Sequence, residues 1–412
     1  MIVTLRGGRK QRAALPGASK CCMRASNVQA AFGEDSDFAA IIKEEQMKAA
    51  IYQVPGGPHS VEEVTIDHPK RTEVRFKITA CGVCHSDLLV WTGARAADFR
   101  PPMILGHEMA GIVEEVGPEV TMVKPGDHVI RGGSGVCGKC KWCMSGKYFR
   151  CVNRGRYTRR EANEPPTTWK GKFIGGIGGG PGGFAQAAIV DETALVKIED
   201  DLPLDRMALI GCGVTTGLGA ALTTAKIPPG ATVAVFGAGG VGGSAIQGAR
   251  IAGARQIIAV DVFDKKLEMA KKFGATDVVN AKNTDPVEAI KELTDGGVEY
   301  SFEAIGNKKT QTQTVLCLAP RGTATFVGVG KDGDVLDDLP VYFITSAERI
   351  VRGHHLNYSS NAIDLNYIVS LYKRGLLNLD DMVSRHGTLA EVDRAFHDME
   401  TGEVVRTVLI PN

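Results

Sequence analysis

The sequence has no large excess of either charge. Across its 412 residues, 48 Lys and Arg face 47 Asp and Glu, a formal net charge of +1. Composition therefore gives no electrostatic case for a nucleic-acid partner or an anionic membrane surface. No stretch of membrane-spanning length stays apolar without Gly, Thr or a charge breaking it, so no transmembrane span is expected. No apolar segment of secretory type follows the N-terminus, which argues against a signal peptide and against a disulfide scaffold. The glycines show no collagen-like period, and no internal repeat emerges.

What the chain does contain is glycine and cysteine. Glycine occurs 50 times, about 12% of the residues, against a usual ~7%. Such an excess points to tight turns or to backbone approaching a ligand closely. Ten cysteines in a long chain without a secretory signal indicate metal or redox chemistry, and a cytoplasmic location is expected. The hydrophobic share of 43% is ordinary for a soluble globular protein, and the length implies roughly two domains.

The first 46 residues differ from the rest. From Met1 to Gly33 there are six basic residues (Arg6, Arg9, Lys10, Arg12, Lys20, Arg24) and no acidic one. A basic, acid-poor leader fits an organelle transit peptide. It is only weakly amphipathic, and Glu34, Asp35, Asp37, Glu44 and Glu45 follow soon after. Residues 1–46 are therefore read as a disordered extension, with targeting as the alternative. Cys21 and Cys22 are adjacent and poorly placed to chelate one metal together.

Two regimes follow. From Met47 to about Ile210, short runs rich in Val, Ile and Thr are broken by Gly, Pro and Asp, as in Glu73–Thr79, Gly111–Val116 and Asp127–Ile130. That is the pattern of a mainly β domain. From Ala231 strands and helices alternate: Thr232–Phe236, Val241–Gly253, Gln256–Val260, Lys265–Phe273, Thr276–Val279, Glu299–Ala304 and Thr323–Val329. This alternation predicts a doubly wound parallel sheet, hence an α/β fold. Helices are expected again around Ile363–Arg374 and Glu391–Thr401, before the apolar Val404–Ile410. The expected division is 47–213, 214–354 and a return segment 355–412. Gly171–Gly183, with eight glycines in thirteen residues, reads as a loop.

Gly237-x-Gly239-x-x-Gly242 follows an apolar run and opens a helix. In that setting the first glycine makes the turn, the second admits a pyrophosphate, and the third lets helix pack on strand. The phosphates would sit at the helix N-terminus. Asp261 ends the next apolar run nineteen residues after Gly242, where an acid can bind ribose hydroxyls and repel a 2′-phosphate. NAD is therefore expected over NADP.

Cys137, Cys140, Cys143 and Cys151 give C-x2-C-x2-C-x7-C on a loop holding Gly135, Gly138 and Gly146. Four thiolates this close can enclose one zinc ion tetrahedrally with no open position, a structural site spanning about residues 135–152. Iron–sulfur ligation and disulfides are the competing readings.

Further candidates are Cys84 in Cys81-Gly82-Val83-Cys84-His85-Ser86-Asp87, His107 in Gly106-His107-Glu108, and Cys212 in Gly211-Cys212-Gly213. Alone, Cys212 reads as a small core residue and His107 as a hydrogen-bonded interior histidine. Taken with the glycine fingerprint and the cysteine loop, the order of motifs resembles the zinc-dependent alcohol dehydrogenases of the medium-chain dehydrogenase/reductase family, over Met47 to Asn412. The resemblance implies a Rossmann sheet beside a mainly β GroES-like catalytic domain. It implies two Zn2+ per chain, NAD, and reversible hydride transfer between an alcohol and NAD(+) to give an aldehyde or ketone. Cys84, His107 and Cys212 match the ligands of the catalytic zinc. Glu108 and Asp87 match acids just behind it, and Ser86 the hydroxyl that passes on the substrate's proton. Gly237, Gly239, Gly240, Val241 and Gly242 fall on the phosphate loop, and Asp261 and Lys266 beside the adenosine ribose. Thr216, Val327 and Ile305 fall beside the nicotinamide half, and His85 and Arg406 on the pyrophosphate.

Two departures qualify the match: Leu89 stands where many members place a relay histidine, and His85 where some place an arginine. Cys81 is read as a packed thiol, and His128 as an ordinary strand residue. Trp91, Phe99 and Tyr157 would help set the pocket size. The long loop between Cys151 and Cys212 resembles the dimeric branch, so a homodimer is expected over a tetramer, pairing near Thr323–Val329. Alternative activities are a glutathione-type formaldehyde dehydrogenase, with Arg154, Arg156, Arg159 and Arg160 near the pocket, and a nicotinoprotein that keeps NAD bound. A non-enzymatic relative would have lost zinc ligands, whereas all seven are here.

Overall fold

The computed structural model describes residues 45–412 except 96–98, 134, 154–164, 178–179, 181, 332, 337 and 357–360. Cys21, Cys22, Arg154, Arg156, Tyr157, Arg159 and Arg160 lie outside the described residues. The segment of short Val-, Ile- and Thr-rich runs forms strands β1 (Glu45–Tyr52), β2 (Ser60–Ile66) and β3 (Glu73–Gly82), then helix α1 (His85–Trp91). Strands β4 (Met103–Ile104), β5 (Glu108–Val116) and β6 (His128–Arg131) precede helix α2 (Lys141–Met144) in the cysteine loop. The short β7 (Thr167–Trp169), β8 (Lys172–Phe173) and β9 (Gly175–Gly176) lead to β10 (Ala187–Asp191) and β11 (Leu195–Ile198). One sheet runs β8-β7-β2-β1-β4-β9, with β1 and β2 antiparallel from Glu45↔Ile66 to Ile51↔Ser60. Alternate residues of β3 bury Val74, Phe76 and Ile78, and Ile51, Tyr52 and Phe184 join them in one core.

The glycine-rich segment folds back on this sheet. A Cβ on Gly176 would lie 2.2 Å from the Gly182 nitrogen, and one on Gly182 would lie 1.8 Å from the Ile104 carbonyl oxygen. Backbone thus packs on backbone at a separation no side chain permits.

A continuous helical run of 22 residues, Leu204–Ala225, comes next. It comprises α3 (Leu204–Leu209) and α4 (Thr215–Gly219), with π-helical stretches at Ile210–Val214 and Ala220–Ala225. It is long and apolar enough to cross a membrane by length and composition only, but most of it is buried inside the fold. The division expected at 213/214 falls inside this run.

The parallel sheet uses β12 (Thr232–Phe236), β13 (Gln256–Asp261), β14 (Asp277–Asn280), β15 (Val298–Glu303), β16 (Leu318–Phe326) and β17 (Ile350–Gly353). Its order is β14-β13-β12-β15-β16-β17, the doubly wound arrangement whose ligand crevice lies outside the strand C-termini where the order reverses. The crossovers are α5 (Gly240–Ile251), α6 (Asp264–Phe273), α7 (Pro286–Thr294) and α8 (Lys308–Leu316), with α9 (Val341–Thr345) before β17. The strand holding Thr323–Phe326 is itself internal: β16 pairs with β15 on one side and β17 on the other, leaving the neighbouring β17 outermost. Past α10 (Asn361–Lys373), the chain returns through β18 (Val383–Gly387), α11 (Val392–Glu400) and β19 (Arg406–Leu409). β19 joins β3 in the second sheet, β11-β6-β5-β3-β19-β18, on which β10 also pairs with β3.

Candidate active site

Three chain turns bring the expected ligands together. Cys84 caps α1 where β3 ends, His107 precedes β5, and Cys212 sits in the π-helical Ile210–Val214. A π turn inside a helix is a frequent companion of functional sites. The donor atoms of Cys84, His107, Glu108 and Cys212 all lie within 4.8 Å of one another. Asp87 fixes two of these residues. Its fully buried carboxylate accepts the Cys84 backbone N–H at 3.1 Å and the Gly106 N–H at 2.8 Å, and stands 3.1 Å from His107 Nδ1. With Nδ1 bonded there, Nε2 is the nitrogen left for a metal.

A carboxylate oxygen of Glu108 lies within the same 4.8 Å of the other donor atoms. One of its oxygens accepts the Gly213 N–H at 3.0 Å and faces Arg406 Nη2 at 3.4 Å. The other is buried with no partner. Burial raises its carboxyl to about 8 against the pull of Arg406. The Cys84 thiol is lowered, chiefly by the hydrogen bond from Cys212, and Cys212 is raised by the same bond. For His107, burial opposes the charge but Asp87 and Cys84 outweigh it, so its pKa rises. Two thiols, an oriented imidazole and an orphaned carboxylate oxygen fit a divalent cation of borderline softness such as zinc.

The second cluster, Cys137, Cys140, Cys143 and Cys151, also has all its sulfurs within 4.8 Å. The Cys137 N–H points at Cys151 Sγ at 3.3 Å and the Cys140 N–H at Cys137 Sγ at 3.2 Å, so backbone already stabilises thiolates. Burial alone would raise Cys137, yet the N–H groups of Lys139 and Cys140 bring it to about 6. Burial and the neighbouring thiols push Cys143 up to about 12. The four cannot ionise together without a cation, and zinc fits that need.

The three glycines of the fingerprint differ in their surroundings. Gly237 has φ +93°, a Cβ on Gly239 would meet nothing within 4 Å, and one on Gly242 would lie 1.6 Å from the Gly237 oxygen. Gly240 begins α5. Arg406 reaches this loop from β19: a Cβ on Gly240 would lie 2.3 Å from its Nε, and one on Gly213 would lie 2.3 Å from Nη2. Asp261 ends β13, but its carboxylate is already engaged. One oxygen accepts the Ala238 N–H at 2.8 Å and the other those of Val262 at 2.7 Å and Phe263 at 3.1 Å. Lys266 lies over the Phe263 ring at 4.9 Å. Thr216 and Val327 are buried, Ile305 is partly exposed beside Gly237, and Val241 packs near the core. His85 and Ser86 open α1, with Ser86 Oγ 3.9 Å from Cys84 Sγ.

Two charged residues of this region belong to no motif. Glu303, ending β15, is buried and accepts the Ile305 and Gly306 N–H groups and the Thr310 hydroxyl. Arg131, ending β6, is 3% exposed, and its one hydrogen bond among the described residues goes from Nη1 to the His107 carbonyl at 3.4 Å. The only signal of either in the sequence is a lone charge closing an apolar strand.

This geometry agrees with comparisons to known proteins. Residues 70–200 match the family model described as alcohol dehydrogenase GroES-like domain, and residues 240–367 the one described as zinc-binding dehydrogenase. The chain belongs to the zinc-dependent alcohol dehydrogenases of the medium-chain dehydrogenase/reductase family, NAD-dependent oxidoreductases acting on small alcohols. It is 39% identical over 362 residues to S-(hydroxymethyl)glutathione dehydrogenase of Saccharomyces cerevisiae, covering 85% of this chain and 93% of that one. To alcohol dehydrogenase class-3 of Pisum sativum it is 37% identical over 369 residues, 88% and 97% of the two chains. Among solved structures, benzyl alcohol dehydrogenase from Acinetobacter calcoaceticus superposes with a TM-score of 0.81 at 31% identity, covering 89% of this chain and 100% of that one. An alcohol dehydrogenase zinc-binding domain protein from Burkholderia ambifaria gives 0.83 at 32% identity, covering 90% and 100%.

Proposed function

We propose that Cys84, His107 and Cys212 hold the catalytic zinc with Glu108 as an exchangeable fourth group, and that Ser86 handles the substrate's proton. The observation that carries this reading is the convergence of four donor atoms within 4.8 Å beside a carboxylate oxygen lacking any partner. When bound, zinc supplies Lewis acidity that lowers an alcohol's pKa, and NAD supplies the hydride acceptor. The protein's part is positional. Asp87 holds the His107 ring, Arg406 offsets the Glu108 charge, and the Ser86 hydroxyl next to Cys84 takes the proton. Leu89 has no group to pass it onward, so the proton leaves through water or a cofactor hydroxyl. Arg406 also reaches the phosphate loop, so one guanidinium senses both the donor cluster and the dinucleotide's place.

The name of the yeast relative favours a second reading, oxidation of a thiol–aldehyde adduct. NAD reduction over alcohols of graded size, with S-(hydroxymethyl)glutathione alongside, separates the two. Turnover of simple alcohols without the adduct supports the first. Absence of any alcohol turnover by protein holding two zinc ions would overturn it. Nicotinamide in the supernatant of heat-denatured enzyme would instead identify a nicotinoprotein.

A homodimer is the proposed assembly. β17 is exposed along its whole length, and Ile350, Val351, Val341 and Tyr342 add an apolar surface beside it. An unpaired edge with apolar neighbours is the form of a strand that pairs with another copy. Light scattering should give twice the chain mass, and Val351→Lys should give monomers. A monomeric wild type refutes the pairing.

A further inference from the structure

The near-balance of charge over the whole chain hides a local excess. No acidic residue stands between Asp127 and Glu161. Within that stretch the cysteine loop presents Lys139, Lys141, Lys147 and Arg150, all exposed and none within ion-pair distance of a carboxylate among the described residues. Four thiolates outweigh one divalent zinc by two charges, so the metal cluster balances only two of these four cations. The clamp itself sets their positions. The Met144 N–H donates to the Cys140 carbonyl at 2.9 Å and the Lys147 N–H to the Trp142 carbonyl at 2.8 Å, while the Val152 N–H bonds to the Cys140 sulfur. Lys141 and Lys147 share one indole, each Nζ standing 5.0 and 5.8 Å from the centre of the Trp142 ring. Between them in sequence Met144 is 76% exposed, and Val152 is 59% exposed. A Cβ on Gly138 or Gly146 would meet nothing within 4 Å, so the turns of the loop face open space.

We propose that loop 137–152 is a docking surface for anionic phospholipid bilayers. Long cationic side chains beside an indole and exposed apolar tips suit the headgroup layer, where the tips enter the interface and the charges stay with the lipid anions. Single-stranded nucleic acid fits less well, because stacked bases need bare aromatic faces. Here Trp142 already lies under Lys141 and Lys147, and Phe149 under Arg150. A protein partner needs a continuous apolar core at the contact, whereas the described loop exposes two separate apolar tips, Met144 and Val152. Binding of this kind is reversible and sensitive to salt, since each surface cation strengthens it only about fivefold. The surface is built without the donor cluster around Cys84, so it does not depend on the dehydrogenase reading.

The test is co-sedimentation of the zinc-loaded full chain with vesicles of phosphatidylcholine alone or mixed three to one with phosphatidylserine. Binding should appear on the mixed vesicles only and fall steeply as sodium chloride is raised. Lys141→Gln together with Lys147→Gln should weaken it about 25-fold, the product of two factors of about five. Met144→Ser should weaken it about fivefold, and Lys141→Arg with Lys147→Arg should leave it near the wild-type level. All variants are compared at two zinc ions per chain. Hydrogen exchange on the wild type needs no variant: mixed vesicles should protect the amides of residues 138–147. No binding to either vesicle, equal binding to both, or protection that leaves this loop out overturns the inference. Binding that the double Gln variant keeps also overturns it and moves the charge elsewhere, as to the basic leader. Tighter binding of single-stranded oligouridylate than of the mixed vesicles, lost in the same variant, assigns the surface to nucleic acid and overturns it too. Alcohol oxidation without vesicles should be the same in every variant, so failure of the dehydrogenase reading and failure of this one are separately visible.

Discussion

Asp261 offers the sharpest test of how the nucleotide site is built. A simple view gives this carboxylate one task, accepting ribose hydroxyls and repelling a 2′-phosphate. Its two oxygens in fact hold three backbone N–H groups: Ala238 in the glycine loop on one side, Val262 and Phe263 on the other. Asp261→Asn keeps the shape but leaves one accepting oxygen. Whichever side the amide oxygen serves, the amide N–H2 meets a backbone donor on the other. A hydrogen bond to a charged group contributes about 1.5–3 kcal/mol, so the apoprotein should lose about that much stability. For a folded unit of about 370 residues the loss corresponds to roughly 2–4 °C in Tm. If the loop bears it, NADH affinity falls by about 10–100-fold. The assays are a thermal melt of the apoprotein and quenching of protein fluorescence by NADH and NADPH. An unchanged melt with only the NADPH-to-NADH preference altered would refute the scaffold role and restore the simple view.

Other consequences are equally direct. Cys84→Ala should leave one zinc per chain and abolish activity, whereas Cys137→Ala should remove the other ion and lower stability, as read by metal analysis and melting. Gly239→Ala enters open space at ordinary dihedrals, so stability should change by less than about 0.5 kcal/mol while NADH binding weakens. Gly242→Ala forces a Cβ onto the Gly237 oxygen and should destabilise by about 3 kcal/mol or more, in urea titrations of both variants. His354 is lowered from 6.5 to about 4, first by burial and then by His355. The unfolded chain takes up this proton before the folded one, so stability is full above pH 6.5 and declines towards pH 4. The decline is about 3 kcal/mol at most, and His354→Asn should flatten it in urea midpoints measured across that range.

Chemistry written in short spacing is legible in the amino-acid sequence. The cysteine loop and the glycine fingerprint each lie within a few turns of chain, so residue type and interval define the geometry. The strand–helix alternation likewise leads to the parallel sheet, because crossovers of one hand leave few arrangements. What is not legible depends on pairing across long separations. The run Thr323–Val329 reads as a buried strand, but nothing in it tells that β17 covers its flank. The Glu108 carboxylate can be placed near the metal but not among its donors, since that depends on Gly213 and Arg406 from distant segments. Within Gly171–Gly183, Gly176 and Gly182 prove to be contacts between backbones, which no local pattern encodes. Arg131 reads as an ordinary strand end because a sequence does not register the absence of a partner.

Arg406 ties two distant parts of the chain together. It meets Cys84 across 322 residues, from a strand that follows β3, β5 and the entire nucleotide sheet in the sequence. Until β19 is in place, Glu108 lacks the Arg406 charge, β3 lacks one neighbour, and the space kept by Gly213 and Gly240 is unfilled. The donor cluster and the dinucleotide loop are therefore joined through one guanidinium only after early and late segments have folded onto each other.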